Sequence, residues 1–168
     1  MFKYCLKDLQ SNVPMTKPKP GIWDTQMAVE SPLLQQLYTL WLDKRRGDFL
    51  PARADFDPLE MRDCLGSLFI VETVPDIDDF RYRLIGIDIT RASQRDSTGK
   101  LISEVFGDIG LALYRKVRDE RLPIRVHGPL DWLGRDFIGY ETIILPLADD
   151  GREVNRFIGG MVFQIGPP

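Results

Sequence analysis

Residues 80–100, FRYRLIGIDITRASQRDSTGK, decide the fold. Phe80, Tyr82 and Leu84 alternate with Arg81, Arg83 and Ile85, a period of two that gives a strand one apolar side. Gly86 ends that strand, and a short polar connection follows. Gly99 then opens the apolar segment 101–106, which reads as helical. A strand that feeds directly into small helices folding back over the same sheet builds an α+β domain.

Working outward, residues 68–74 make a first strand with Phe69, Val71 and Thr73 on one side, and 75–79 an acidic turn. Together with the strand from Phe80 they predict an antiparallel hairpin. Downstream, Asp108 is placed to cap a helix running to Leu122, with Ile109, Ala112, Leu113 and Val117 sharing a face and Pro123 as its stop. Three more strands are predicted over 124–130, 137–147 and 154–165, with turns at 133–135 and 149–151 between them. The expected architecture is α+β, a five-stranded antiparallel sheet with its helices on one face.

Upstream, Ser31-Pro32 is a helix start, with Ser as N-cap and Pro at the first helical position. Leu33, Leu34, Leu37, Tyr38, Trp41 and Leu42 follow at helical spacing, and Gly47 closes the element. So apolar a helix needs a partner surface, the chain's own sheet or a second copy; Leu33, Leu37 and Trp41 are its interface candidates. A second helix is expected from Asp57, where Asp57-Pro58-Leu59-Glu60 spells a capping box and Phe56 and Met61 stand at staple positions. Residues 11–21 carry three prolines and read as a linker. A flexible segment and linker over 1–22 thus precedes a domain spanning 23–168.

With 168 residues the chain is long enough to bury one core, and 43% hydrophobic with 28% charged residues is ordinary for a globular protein. A formal net charge of -3 argues against a domain built to neutralise nucleic-acid phosphates. Charges of both signs interleave over 43–46 and 115–121, as on a solvated helix face. Two distant cysteines, Cys5 and Cys64, are too few for a disulfide framework or a cysteine zinc site. The first ten residues hold no long apolar run, so neither a signal peptide nor a membrane span is expected, and the reading is cytoplasmic.

The order of elements is that of the PAS fold. The run Trp41, Arg45-Arg46-Gly47 and Leu50-Pro51-Ala52-Arg53, then Asp57-Pro58, then Phe80 to Gly86, then Asp96 with Thr98-Gly99-Lys100 resembles a bacterial PAS-like family. That family consists of small, mostly single-domain proteins long without an assigned function. Leu145-Pro146-Leu147-Ala148-Asp149-Asp150-Gly151 fits it too, and the resemblance covers 31–165. It implies a sensory or regulatory role and carries no catalytic residues to transfer. Gln94 departs from it, standing where a glycine is expected.

Sharper chemical motifs fall short. Residues 94–100 look like the end of a phosphate-binding loop, but the first glycine is missing and Leu101 replaces the magnesium-binding hydroxyl. Arg91 and Arg95 match half of a cyclic-dinucleotide motif whose second half is absent. Asp76, Asp78 and Asp79 are no calcium loop, since Arg81 and Ile87 occupy the positions of the required Gly and Glu. His127 is the single histidine and makes a poor metal or haem site. Cys64 reads as inert packing, and 88–106 lacks the cysteine on which flavin photochemistry in PAS relatives depends. No cofactor, metal or catalytic residue is expected.

What remains is a pocket between a curved sheet and its helices. Alternation puts Tyr82, Leu84, Tyr140, Thr142, Met161 and Phe163 under those helices; Trp132 is placed to lid the sheet's end, and His127 to point at a ligand. The expected function is non-catalytic sensing of a small apolar or metabolite ligand, or of a protein partner, with output through a homodimer or signalling partner. Nucleic acid and membrane are not expected partners. A small isomerase or hydratase drawing on His127, Glu141 or Asp131 is the alternative from another class, and a ligand-free dimerisation adaptor is a third.

Overall fold

The computed structural model describes residues 21–130 and 137–165. Its strands are β1 (Ile22–Asp24), β2 (Leu68–Val74), β3 (Asp79–Ile85), β4 (Ile124–Gly128), β5 (Phe137–Leu147) and β6 (Arg156–Ile165). Three α-helices accompany them, α1 (Pro32–Lys44), α2 (Ile87–Ser93) and α3 (Ile102–Glu120). All strand neighbours are antiparallel, in the order β1-β4-β5-β6-β2-β3. The sheet therefore has six strands rather than the expected five. The extra strand is β1, too short to leave a periodic signature, which pairs Trp23 with Val126 beyond the edge of β4.

The expected placement of all helices on one face is also corrected. Gly159 and Gly160 are neighbours on β6, so their Cα atoms point to opposite faces. A side chain at Gly160 would strike Leu34 and Leu37 of α1, whereas one at Gly159 would strike the Phe69 ring. On the Gly159 side, Tyr114 of α3 stacks against Phe80 and Phe157 with ring centroids 5.4 and 5.1 Å away. Hence α2 and α3 cover the face expected of a PAS domain, and α1 covers the reverse. An amphipathic stripe states that a helix needs a surface; it does not state which one.

Local chemistry fixes each piece. Ser31 Oγ accepts from the Leu34 amide, and Leu34, Leu37 and Trp41 turn inward from α1. Trp41 Nε1 donates to the Pro146 carbonyl at 2.9 Å, which satisfies its one polar atom inside the core. Leu37 and Trp41 are fully buried on their own sheet and are not an outward interface; Leu33 is half-buried beside them. The capping box at Asp57 and Glu60 forms, with Glu60 accepting from the Asp57 amide. No α-helix grows from it. Hydrogen bonds from Met61 to Pro58, Cys64 to Met61 and Ser67 to Cys64 span three residues each, so the chain proceeds as tight turns into β2. Phe56 and Met61 are buried as a staple requires. α3 is broken at Gly107, whose φ of 63° and ψ of -151° separate the segments 102–106 and 108–120.

The acidic turn before β3 is exposed over 75–78 and ion-paired at Asp78. Asp78 pairs with Arg115 at 2.9 Å and Arg118 at 2.7 Å, pinning the hairpin to α3. Asp79, buried, accepts from the amide and hydroxyl of Ser103 and so caps the start of that helix from a neighbouring strand.

Candidate functional site

The face under α2 and α3 is filled in its middle. Phe80, Tyr114 and Phe157 form a mutually packed triad, and Phe69 stands edge-on to Tyr82 with centroids 6.0 Å apart. Burial raises the Tyr82 phenol well above its ordinary range, and a hydrogen bond with Tyr114 offsets that only in part. Burial does the same to Tyr114. These hydroxyls stay protonated and bonded to each other, so the sheet centre holds aromatic rings rather than a void.

Space opens at one end. A cleft of about 440 Å³ lies between α2 and β6, lined by Ser67, Asp88, Arg91, Ala92, Met161, Val162 and Phe163. Its apolar floor comes from β6 and its polar rim from α2 and the turn before β2. Asp88 and Arg91 sit three residues apart on α2, hence on one face of the helix. Among the described residues neither has an ion-pair or hydrogen-bond partner for its side chain. The Asp88 carboxylate lies where a Cβ on Gly66 would be, 2.1 Å from its Oδ2, so only glycine leaves room for it. A second apolar cleft, lined by Gly21, Trp23, Asp108, Ile109 and Ala112, lies between β1 and α3.

The residues expected to line a ligand site scatter. Met161 and Phe163 do line the α2–β6 cleft. Tyr82 belongs to the filled centre. Thr142 is buried and its hydroxyl donates its proton to the Gly160 carbonyl at 2.8 Å. Tyr140 packs at the far end, its hydroxyl over Gly21 and the neighbouring Val126, and burial raises its pKa. Leu84 is displaced by a bulge. The β2–β3 register slips between Ile70 and Val71, so Tyr82 faces Val71 while Leu84 faces Ile70 on the opposite side. Leu84 is accordingly 45% exposed. His127 pairs in register with Glu141 and therefore points to the α1 face, away from the cleft. Trp132 and Asp131 lie outside the described residues.

Among the described residues Glu141 is a candidate carboxylate that is buried, and its chemistry is already committed. Its two oxygens accept from the amides of Glu30 and Ser31, each at 2.8 Å, and from Arg125 Nε at 2.6 Å. Burial alone would raise its pKa; the two amides and the guanidinium outweigh that and hold it below the usual glutamate range. Arg125 reaches on to Glu30 at 3.0 Å and Asp24 at 3.4 Å. A carboxylate held below its usual pKa and bonded three-fold is a poor proton shuttle and a good fastener. It ties β1 and the start of α1 to the sheet.

Asp88 and Ser67 escaped the sequence reading, and Arg91 entered it only through the incomplete cyclic-dinucleotide motif. The signal for Asp88 and Arg91 is their opposite charge at three-residue spacing on one short helix; Ser67 left none.

Among the described residues, no group of histidine, cysteine and carboxylate side chains could hold a metal ion, and no helix is long and apolar enough to cross a membrane. No curated protein matches the sequence. Among solved structures, an RNA-binding light-oxygen-voltage receptor superposes with a TM-score of 0.44 at 13% identity, over 87% of this chain. The chain spans only 40% of that receptor's length. The model of the PAS domain family matches residues 29–162, which takes in all three helices and the sheet from β2 as far as Val162 in β6, and the chain belongs to the PAS domain family.

Proposed function

We propose that this domain is a non-catalytic regulatory sensor that reads a small molecule in the α2–β6 cleft and passes the response to a partner protein or a second copy of the chain. The observation that carries it is the cleft itself. Its roughly 440 Å³ falls in the range of small-molecule sites, and it joins an apolar floor of Met161 and Phe163 to polar groups on one side. α2 is short, and it carries both the cleft's charges and the exposed Ile87. A ligand that shifts this helix therefore also alters the surface offered outward, to the extent that it binds the two positions with different affinity.

Two of the three residues behind the enzyme alternative are placed against it, and the third, Asp131, lies outside the described residues. Glu141 is spent on structural bonds, and His127 faces away from the cleft. The ligand-free adaptor is the second reading, favoured by the filled centre of Phe80, Tyr114 and Phe157.

Native mass spectrometry of the protein isolated from its host separates the two. A sensor retains or takes up a small mass that Ala92→Trp, which fills the cleft, excludes. A bare mass in both forms, under conditions where a partner is still captured, favours the adaptor.

A further inference from the structure

The rim of the α2–β6 cleft has an unusual distribution of charge. Asp88 and Arg91 are one turn apart on α2, about 5–6 Å between Cβ atoms, a spacing at which such residues readily pair. Here they do not pair with each other, nor with any described residue. The Asp88 carboxylate is instead drawn over Gly66, in the space a Cβ would fill. Beside it, Ser67 is only 8% exposed and lines the cleft, and among the described residues no hydrogen bond reaches its hydroxyl. Its hydroxyl is not among the buried side-chain atoms left without a partner, so it meets the water of the cleft. One free cation, one free anion and one unused hydroxyl thus rim a floor made by Met161, Phe163 and Ala92.

We propose that the cleft binds a small zwitterion with an apolar tail, in chemical class an α-amino acid with an aliphatic or aromatic side chain. Its carboxylate meets the Arg91 guanidinium, which presents paired donors suited to a carboxylate. Its ammonium meets Asp88, and Ser67 Oγ supplies the remaining hydrogen bond. The side chain lies on Met161 and Phe163, where thioether and ring adapt to several shapes. A ligand with a single charge leaves either Asp88 or Arg91 unanswered in the closed complex, so the pair selects against simple amines and simple acids. This inference rests on the small-molecule reading of the cleft and adds the class of the ligand.

Calorimetric titration of the full chain with L-leucine, L-methionine and L-phenylalanine tests it, together with two leucine analogues. Isoamylamine lacks the carboxylate and 4-methylpentanoate lacks the ammonium. Binding of at least one amino acid is expected, with affinity reduced about tenfold or more for both analogues and in Arg91→Ala and Asp88→Asn, the size of one lost charge-assisted contact. Both side chains are exposed, so these variants keep the fold, which their circular dichroism verifies. Indole, followed through the Met161 methyl resonance, is the uncharged control. Equal binding of 4-methylpentanoate and leucine, or wild-type affinity in Asp88→Asn, overturns the zwitterion. So does the absence of binding by all three amino acids. If indole nevertheless moves the Met161 methyl, and Ala92→Trp abolishes that shift, the small-molecule reading stands without its ligand class. If no probe moves it, both fall.

Discussion

Two pairs of opposite charges sit on opposite faces of one sheet, and they are treated in opposite ways. Arg125 and Glu141 are buried under the β1–α1 segment, bonded to each other, to two backbone amides and to two more carboxylates. Asp88 and Arg91 are exposed at a cleft and bonded to nothing among the described residues. Desolvating a charge costs several kcal/mol unless partners replace the lost water, so the first pair can exist only because its hydrogen bonds are complete. The second retains water, and its unmet bonding capacity is available for exchange. Burial with full satisfaction marks a structural device, and convergence without satisfaction is the feature on which the proposed site rests.

The contrast can be broken or sharpened by substitution. The largest effect is expected for Arg125→Met, which strands Glu141, Glu30 and Asp24 together and should cost about 3–5 kcal/mol in urea unfolding. The fastener is also sensitive to acid. Since the Glu141 pKa is depressed in the folded state, its stabilisation is complete above the ordinary glutamate value of 4.5 and is lost as the pH falls through the lower folded value. Glu141→Gln should flatten that part of the stability profile. An equal slope in the variant would assign it to other carboxylates.

Leu37→Ala follows, with about 2–5 kcal/mol expected from cavity formation beneath α1. A cost near zero would mean that α1 leaves the sheet in solution and that Leu37 is available outward after all. The reverse sign is expected at Gln94. Its φ of 52° lies in the left-handed region at the end of α2, where glycine is unstrained. Gln94→Gly should stabilise the domain by up to about 1 kcal/mol in thermal unfolding. Smallest of all, Leu84→Ser should change stability by less than about 0.5 kcal/mol, as for an exposed position. A larger loss would restore Leu84 to the interior and deny the bulge.

Gln94 also shows how much the sequence could say. The family resemblance led to the expectation of glycine there, and the backbone explains why, although glutamine occupies the position. Strong periodic signals came through at full strength. β2 and β5 run over the expected 68–74 and 137–147, and α1 begins at Ser31-Pro32 as its caps require. Three failures have distinct causes. The capping box at Asp57 specifies a start, but Gly66 arrives before a helix could repay its nucleation. Leu84 keeps perfect alternation in its own strand, yet its side is set by slippage against β2, which no single strand encodes. The fastener joins residues more than a hundred positions apart, Glu30 and Ser31 with Glu141, so no local window contains it. For the same reason Met161 and Phe163 were legible as cleft residues through their strand, while Asp88 and Ser67 depended on how the turn before β2 meets α2.

One arrangement around β3 has a consequence of its own. Tyr82 exchanges main-chain bonds with the 99–100 segment, its carbonyl accepting from Gly99 at 2.8 Å and its amide donating to Lys100 at 3.1 Å, and Arg81 bridges Leu101. The middle of the sheet's outer margin on that side is thereby capped by the chain itself. A copy approaching ribbon to ribbon meets a peptide ladder already occupied at Arg81 and Tyr82, which opposes stacking into fibrils there.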